Sequence, residues 1–213
     1  HLPEQILKDK LTLMGLEAGI DFNTQDVAVG EEKVVEDGKT KTKTRAYDFV
    51  LPFARENWEN KIFIQALFYA GDSGSVSHIV VDQTVASRAF TSASDKFPNA
   101  RFVEYLDGAG YFASLRGDLE HMMRMSNTHS FLQVRSIWIR LRRELQQIGF
   151  ITPVEIEHAI FQTNDGNIDE VEQILLSEGY SKSEILRSFE YAFKNKFIDE
   201  YSDNLQVKVS RKN

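Results

Sequence analysis

Two polar side chains interrupt apolar runs in this chain, and their types and spacing suit metal-assisted hydrolysis. Asp48 breaks the run Tyr47-Asp48-Phe49-Val50-Leu51, and Gln65 breaks Ile62-Phe63-Ile64-Gln65-Ala66-Leu67-Phe68. Burying polarity without a partner costs roughly 1–3 kcal/mol, so each needs a reason to be there. Neighbouring strands lie about 4.8 Å apart, so an acid on one and an oxygen ligand on the next can share a divalent ion. Asp48 and Gln65, with 16 residues between them, fit that geometry. Phosphodiester hydrolysis needs oxygens fixed in this way, holding Mg²⁺ to activate water and stabilise the leaving oxygen.

A polar loop is expected directly after the second strand: Gly71-Asp72-Ser73-Gly74-Ser75-Val76-Ser77-His78. Glycines allow close backbone approach to a ligand, and small hydroxyls donate to phosphate or to base edges. Ser73, Ser75, Ser77 and His78 are therefore candidate DNA contacts. The tetrad Gly71-Asp72-Ser73-Gly74 does not mark a chymotrypsin-like protease, because disulfides, an all-β pattern and an upstream His–Asp pair are missing. Lys39, Lys41, Lys43 and Arg45 alternate with threonines and give one cationic strand face. That face could follow a phosphate backbone, with Lys41, Lys43 and Arg45 as contacts, or serve as a solvated edge protected by lysines.

The elements that must position these residues read as follows. Residues 2–18 carry a broad apolar helical face weakened by Gly15 and Gly19. Residues 26–36 and 41–52 read as strands joined at Asp37-Gly38, which suits a type I′ hairpin turn. A central strand at 61–69 leads through the polar loop to a helix over 80–90. A buried strand at 101–106 and helices at 115–125 and 131–148 complete an α/β layered domain with a mixed sheet. Beyond residue 148 the character changes. Thr152-Pro153-Val154-Glu155 and Ser181-Lys182-Ser183-Glu184 are helix starts, another helix spans 167–177, and a short hairpin spans 197–209. The expected division is 1–148 and 149–213.

The arrangement of the first part resembles the PD-(D/E)xK nuclease superfamily, specifically type II restriction endonucleases, over residues 2–143. In that family a helix precedes a hairpin whose second strand bears an Asp, and the next strand bears an acid and then a Lys two positions on. Asp48 matches the first metal-binding Asp, Gln65 stands in the slot of the second acid and Leu67 in that of the Lys. The resemblance implies a restriction-endonuclease-like mixed sheet flanked by helices and Mg²⁺-dependent, site-specific cleavage of double-stranded DNA. It also implies a homodimer, or a monomer that nicks. The departures leave three explanations open: Asp72 or His78 substitutes, Glu59-Asn60-Lys61 is the literal E-x-K, or the chain is inactivated. Glu59-Asn60-Lys61 is discounted because it lies at the strand's polar entrance. The last part has the outline of a winged helix, three helices and a hairpin. It also resembles, more loosely, a ubiquitin-associated three-helix domain. Either would be an interaction module, for DNA or for protein.

Other candidates carry less. Glu104 and Asp107 could add ligands or cap a strand, His121, His129 and His158 show no ligand spacing, and Arg135, Arg140, Arg142 and Arg143 could reach phosphate or form a solvated face. The chain has no cysteine, which removes disulfides and thiolate sites and suits a cytoplasmic location. A net charge of -7 is unlike a non-specific nucleic-acid coat, although an enzyme can concentrate positive charge in a cleft. No run of 18 apolar residues occurs, so no membrane partner is expected, and the start shows no signal-peptide pattern. The rival expectation is a non-catalytic DNA- or protein-binding module on an α/β scaffold.

Overall fold

A computed structural model describes residues 2–55, 58–68, 74–108, 110, 116–125, 127–130 and 134–208. The fold is mixed α/β. Two compact units form, one from residues 1–9 with 17–139 and the other from 10–16 with 140–213.

The chain opens with helix α1 (Leu2–Leu13), which stops short of the expected residue 18. Strands β1 (Val27–Glu36) and β2 (Lys39–Tyr47) then form an antiparallel hairpin. Its turn is the expected one: Asp37 and Gly38 both take positive φ, 52° and 72°. Such a turn matches the right-handed twist of the two strands.

The strand expected at 41–52 divides in two. β2 ends at Tyr47, and Asp48 turns the chain into β3 (Phe49–Leu51), which joins a different sheet. That sheet has four strands in the order β3, β4 (Ile62–Phe68), β5 (Arg101–Asp107) and β6 (Asn127–Ser130). β3 runs antiparallel to β4, whereas β4, β5 and β6 are parallel. Parallel neighbours need crossovers, and helices α2 (Gly74–Ser92) and α3 (Arg116–Met125) lie in those two connections.

The helix expected at 80–90 begins earlier, at Gly74. Ser75, Ser77 and His78 are thus on the first turns of a helix rather than in a loop, and Ser73 lies outside the described residues. Ser and Gly are poor helix-interior residues but are tolerated in a first turn, where the backbone N–H groups have no intrahelical acceptor.

Alternation divides the sheet residues between two faces. Phe63, Gln65 and Leu67 share one face of β4, and the register sets Phe102, Glu104 and Leu106 of β5 beside them. Rings build one end of this face. Phe63 stacks on Phe102 with centroids 5.9 Å apart, and Tyr47 lies 4.9 Å from Phe63. Aliphatic side chains build the other end, where Leu67 and Leu119 pack against Val81, Leu106 and Met122.

The second unit holds helices α4 (Val134–Gln147, from residue 140), α5 (Pro153–Gln162), α6 (Ile168–Ser177) and α7 (Lys182–Lys194). A hairpin of β7 (Ile198–Tyr201) and β8 (Asn204–Val207) follows. Pro153 stands at the start of α5, and the Asn167 and Ser181 side chains accept from backbone N–H groups at the starts of α6 and α7. The core of this unit runs from Ile151 through Ile156, Val171, Leu175 and Ile185 to Leu205. Among the described residues, no helix is long and apolar enough to cross a membrane.

Candidate functional site

Asp48 occupies the corner between two sheets, and that position determines its chemistry. Continuing the β3–β4 register by one residue sets it opposite Gln65. There β3 has diverged from β4, and the Asp48 carboxylate takes over a ladder contact: its Oδ2 accepts from the Ala66 N–H at 2.7 Å. The corner is held by Asn23, which is 1% exposed. The Asn23 amide donates to the Asp48 carbonyl at 2.6 Å, and its oxygen accepts from the Val50 N–H at 2.7 Å. Sequence reasoning missed Asn23. Its only signal was a short polar side chain between Phe22 and a run of turn residues.

Burial pushes the Asp48 carboxyl up to about 6, against the pull of the Ala66 hydrogen bond, and the negative charges of Asp26 and Glu4 add to the rise. An acid tuned this way is half-protonated near pH 6 and ionised at pH 7. Perturbed carboxylates of this kind concentrate at functional sites but also occur in structural networks.

Gln65 lies between Asp48 and Glu104 along the row that crosses β3, β4 and β5. Its side-chain oxygen is buried, with no hydrogen-bond partner among the described residues. Glu104, 2% exposed, has a different fate: it forms an ion pair with Arg88 of α2. Arg88 also lies over the Phe102 ring at 5.6 Å, and burial lowers its guanidinium to about 10. Glu104 is therefore a neutralised part of the packed face. Leu67, in the slot where the resembled family has its Lys, belongs to the aliphatic cluster with Val81 and Met122. A leucine there can neither orient nor deprotonate a water.

Three cations of this strand face, Lys41, Lys43 and Arg45, are paired within their own hairpin. Lys41 contacts Glu36 at 3.1 Å, Lys43 contacts the same carboxylate, and Arg45 binds Glu32 through two nitrogens at 2.7 and 3.0 Å. Lys43 and Lys41 hold Glu36 below the usual carboxylate range. Arg45 is 6% exposed, and with Lys43 it lines a cavity of about 370 Å³ whose other wall is Ile79, Asp82, Gln83 and Ala86 of α2. The expected alternation is present, but its inner end faces a helix.

The side chains of Ser75, Ser77 and His78, like Ser73 and Asp72, lie outside the described residues, as do those of Asp107, His129 and Arg135. His121 is exposed on α3. In the second unit Arg142 binds Glu155 at 2.8 Å and meets His158 at 3.2 Å, while Arg140 and Arg143 are exposed. Among the described residues, no group of three or more His, Asp or Glu side chains is arranged to hold a metal ion.

No protein-family model, curated protein or solved structure matches the chain.

Proposed function

We propose that the first unit hydrolyses phosphodiester bonds of double-stranded DNA with Mg²⁺, using Asp48 and Gln65 as its protein ligands. The observation that carries this reading is the buried Gln65 oxygen, which has no partner among the described residues and stands next in register to an acid that titrates near neutrality. A metal ion would satisfy that oxygen and offset the cost of the buried Asp48 charge. Mg²⁺ is commonly held by one or two protein oxygens, water and substrate phosphate, so two side chains suffice. Bound there, the ion would activate water and stabilise the leaving oxygen. Asn23 fixes the corner from which Asp48 acts, and the Ala66 N–H orients its carboxylate. Asp48 must be ionised to bind a cation, so metal binding strengthens as pH rises through 6.

A second reading, a non-catalytic DNA- or protein-binding module, draws support from Leu67, a half-buried aliphatic residue packed on the Val81 cluster where the resembled nucleases place a proton-handling Lys. The winged-helix outline of the second unit also suits it.

One experiment separates the two. The protein is incubated with a mixed-sequence plasmid and Mg²⁺ or Mn²⁺, beside Asp48→Ala. Discrete fragments that vanish in the variant support the nuclease and its metal at Asp48. No cleavage, with a sequence-dependent gel shift, favours the binding module. Neither cleavage nor shift rejects both DNA readings.

A further inference from the structure

An aromatic-walled cavity of about 240 Å³ lies in the first unit, lined by residues of β1 and β3 together with Phe53, Lys61, Phe63, Lys96 and Phe97. Its charge is one-sided. Among the described residues two lysines line it and no carboxylate does, in a chain whose net charge is -7. Phe63 is fully buried at its floor and meets Phe97 edge-on at 5.1 Å, while Phe53 at the mouth is 38% exposed. Lys61 is half-buried at the wall. Its ammonium donates to the Pro52 carbonyl at 2.5 Å and to the Phe53 carbonyl at 3.4 Å. An ammonium has three donors, so these two carbonyls leave one for a ligand.

We propose that this cavity binds a small aromatic carboxylate, its ring between Phe53, Phe63 and Phe97 and its charged head against Lys61 and Lys96. The volume suits a single ring rather than a drug-sized molecule, since ordinary ligand pockets begin near ~300 Å³. A monoanion fits better than a phosphate dianion, because one buried ammonium donor and one exposed lysine cannot satisfy three strongly basic oxygens. Lys61 is itself short of compensation. Burial and the neighbouring charge of Arg55 lower its basicity, and a bound carboxylate would relieve both. Arg55 packs over Trp58 at 4.5 Å. This inference uses none of the residues of the Asp48 site and stands or falls separately from it.

The test is a titration of the whole chain with benzoate, benzyl alcohol and benzylammonium, followed by backbone amide NMR shifts. Benzoate should bind saturably below ~10 mM, with the largest shifts at residues 27–29, 50–53 and 96–97. Benzyl alcohol should bind at least about fivefold more weakly, and benzylammonium not measurably. Lys96→Glu alters an exposed side chain and should weaken benzoate about five- to tenfold while leaving benzyl alcohol unchanged. Lys61→Met should do the same more strongly, and an unchanged amide spectrum elsewhere shows that the variant folds. Equal binding of benzoate and benzyl alcohol overturns the proposal. So do insensitivity to Lys96→Glu, shifts confined to other residues, or no saturation.

Discussion

Asp48 should make the stability of this fold depend on pH in the direction opposite to an ion-paired carboxylate. Its folded value, about 6, lies above its ordinary value of 3.8. Between those values the folded chain keeps a proton that the unfolded chain has released. Stability is therefore fully present below about pH 4 and is lost as pH rises through 6. For a shift of this size the loss by pH 7 is roughly 1–3 kcal/mol. Asp48→Asn keeps an acceptor for the Ala66 N–H and removes the titration. Its melting temperature should exceed the parent's near pH 7, with the gap closing near pH 4, by calorimetry at both pH values. A gap that ignores pH would remove Asp48 as the titrating group. Mg²⁺ should narrow the gap at pH 7, because an ion bound to the parent offsets the cost of its charge. The neighbouring ion pair makes a contrasting demand. Arg88→Met would break the buried ion pair with Glu104, at a cost of about 3–5 kcal/mol, whereas pairing it with Glu104→Gln should recover most of that loss. Chemical denaturation of the single and double variants checks this, and equal losses in both would rule out charge burial as the cause.

Elements were legible in this sequence where local chemistry dictates them. The Asp37-Gly38 turn, the apolar strands β4 and β5, the start of α5 at Pro153 and the capped start of α7 follow from turn residues, alternation, a proline at the first helical position and a capping serine. The break at Asp48 did not, because nothing in Tyr47-Asp48-Phe49 signals that a strand changes sheets. The buried Asn23 clamp that makes the corner comes from 25 residues upstream. Strand β6, Asn-Thr-His-Ser, was illegible because it is only four residues long, carries no apolar alternation and is held by parallel pairing to β5. At the site, the spacing was enough to set Asp48 beside the Gln65 position of the next strand, as the extended β3–β4 register does. The pairing of Lys41, Lys43 and Arg45 with Glu36 and Glu32 was not, because it depends on cross-strand register. Glycines give a clean test at this scale. Gly38 and Gly166 have similar φ, 72° and 81°, yet an added Cβ meets nothing at Gly38 and comes within 2.1 Å of the Leu205 carbonyl oxygen at Gly166. Gly38→Ala should cost about 1 kcal/mol, the backbone penalty alone. Gly166→Ala should cost at least ~3 kcal/mol, because strand β8 must move as well. Equal melting temperatures for the two variants would show that the α5–α6 turn yields without resistance.

Under either DNA-binding proposal, the charge of the whole molecule sets how a duplex would be engaged. It carries 25 Lys and Arg against 32 Asp and Glu. Each phosphate neutralised by a protein cation adds about 0.9 to the slope of log affinity against log salt. The cations proposed from the sequence for such contacts, Lys41, Lys43 and Arg45, already face Glu36 and Glu32. Any binding to a mixed-sequence duplex should therefore respond shallowly to salt, with a slope of magnitude below about 3. Under the nuclease reading, attraction comes instead through a divalent ion shared between Asp48 and a phosphate. Ca²⁺, which binds oxygen ligands but supports hydrolysis poorly in Mg²⁺ sites, should then raise affinity, and Asp48→Asn should abolish the increment without changing the metal-free affinity. Fluorescence anisotropy of a labelled duplex across a salt series, with and without Ca²⁺, measures both quantities. A steep slope that Ca²⁺ leaves unchanged would mean that a basic face, and not the Asp48 corner, brings this acidic chain to DNA.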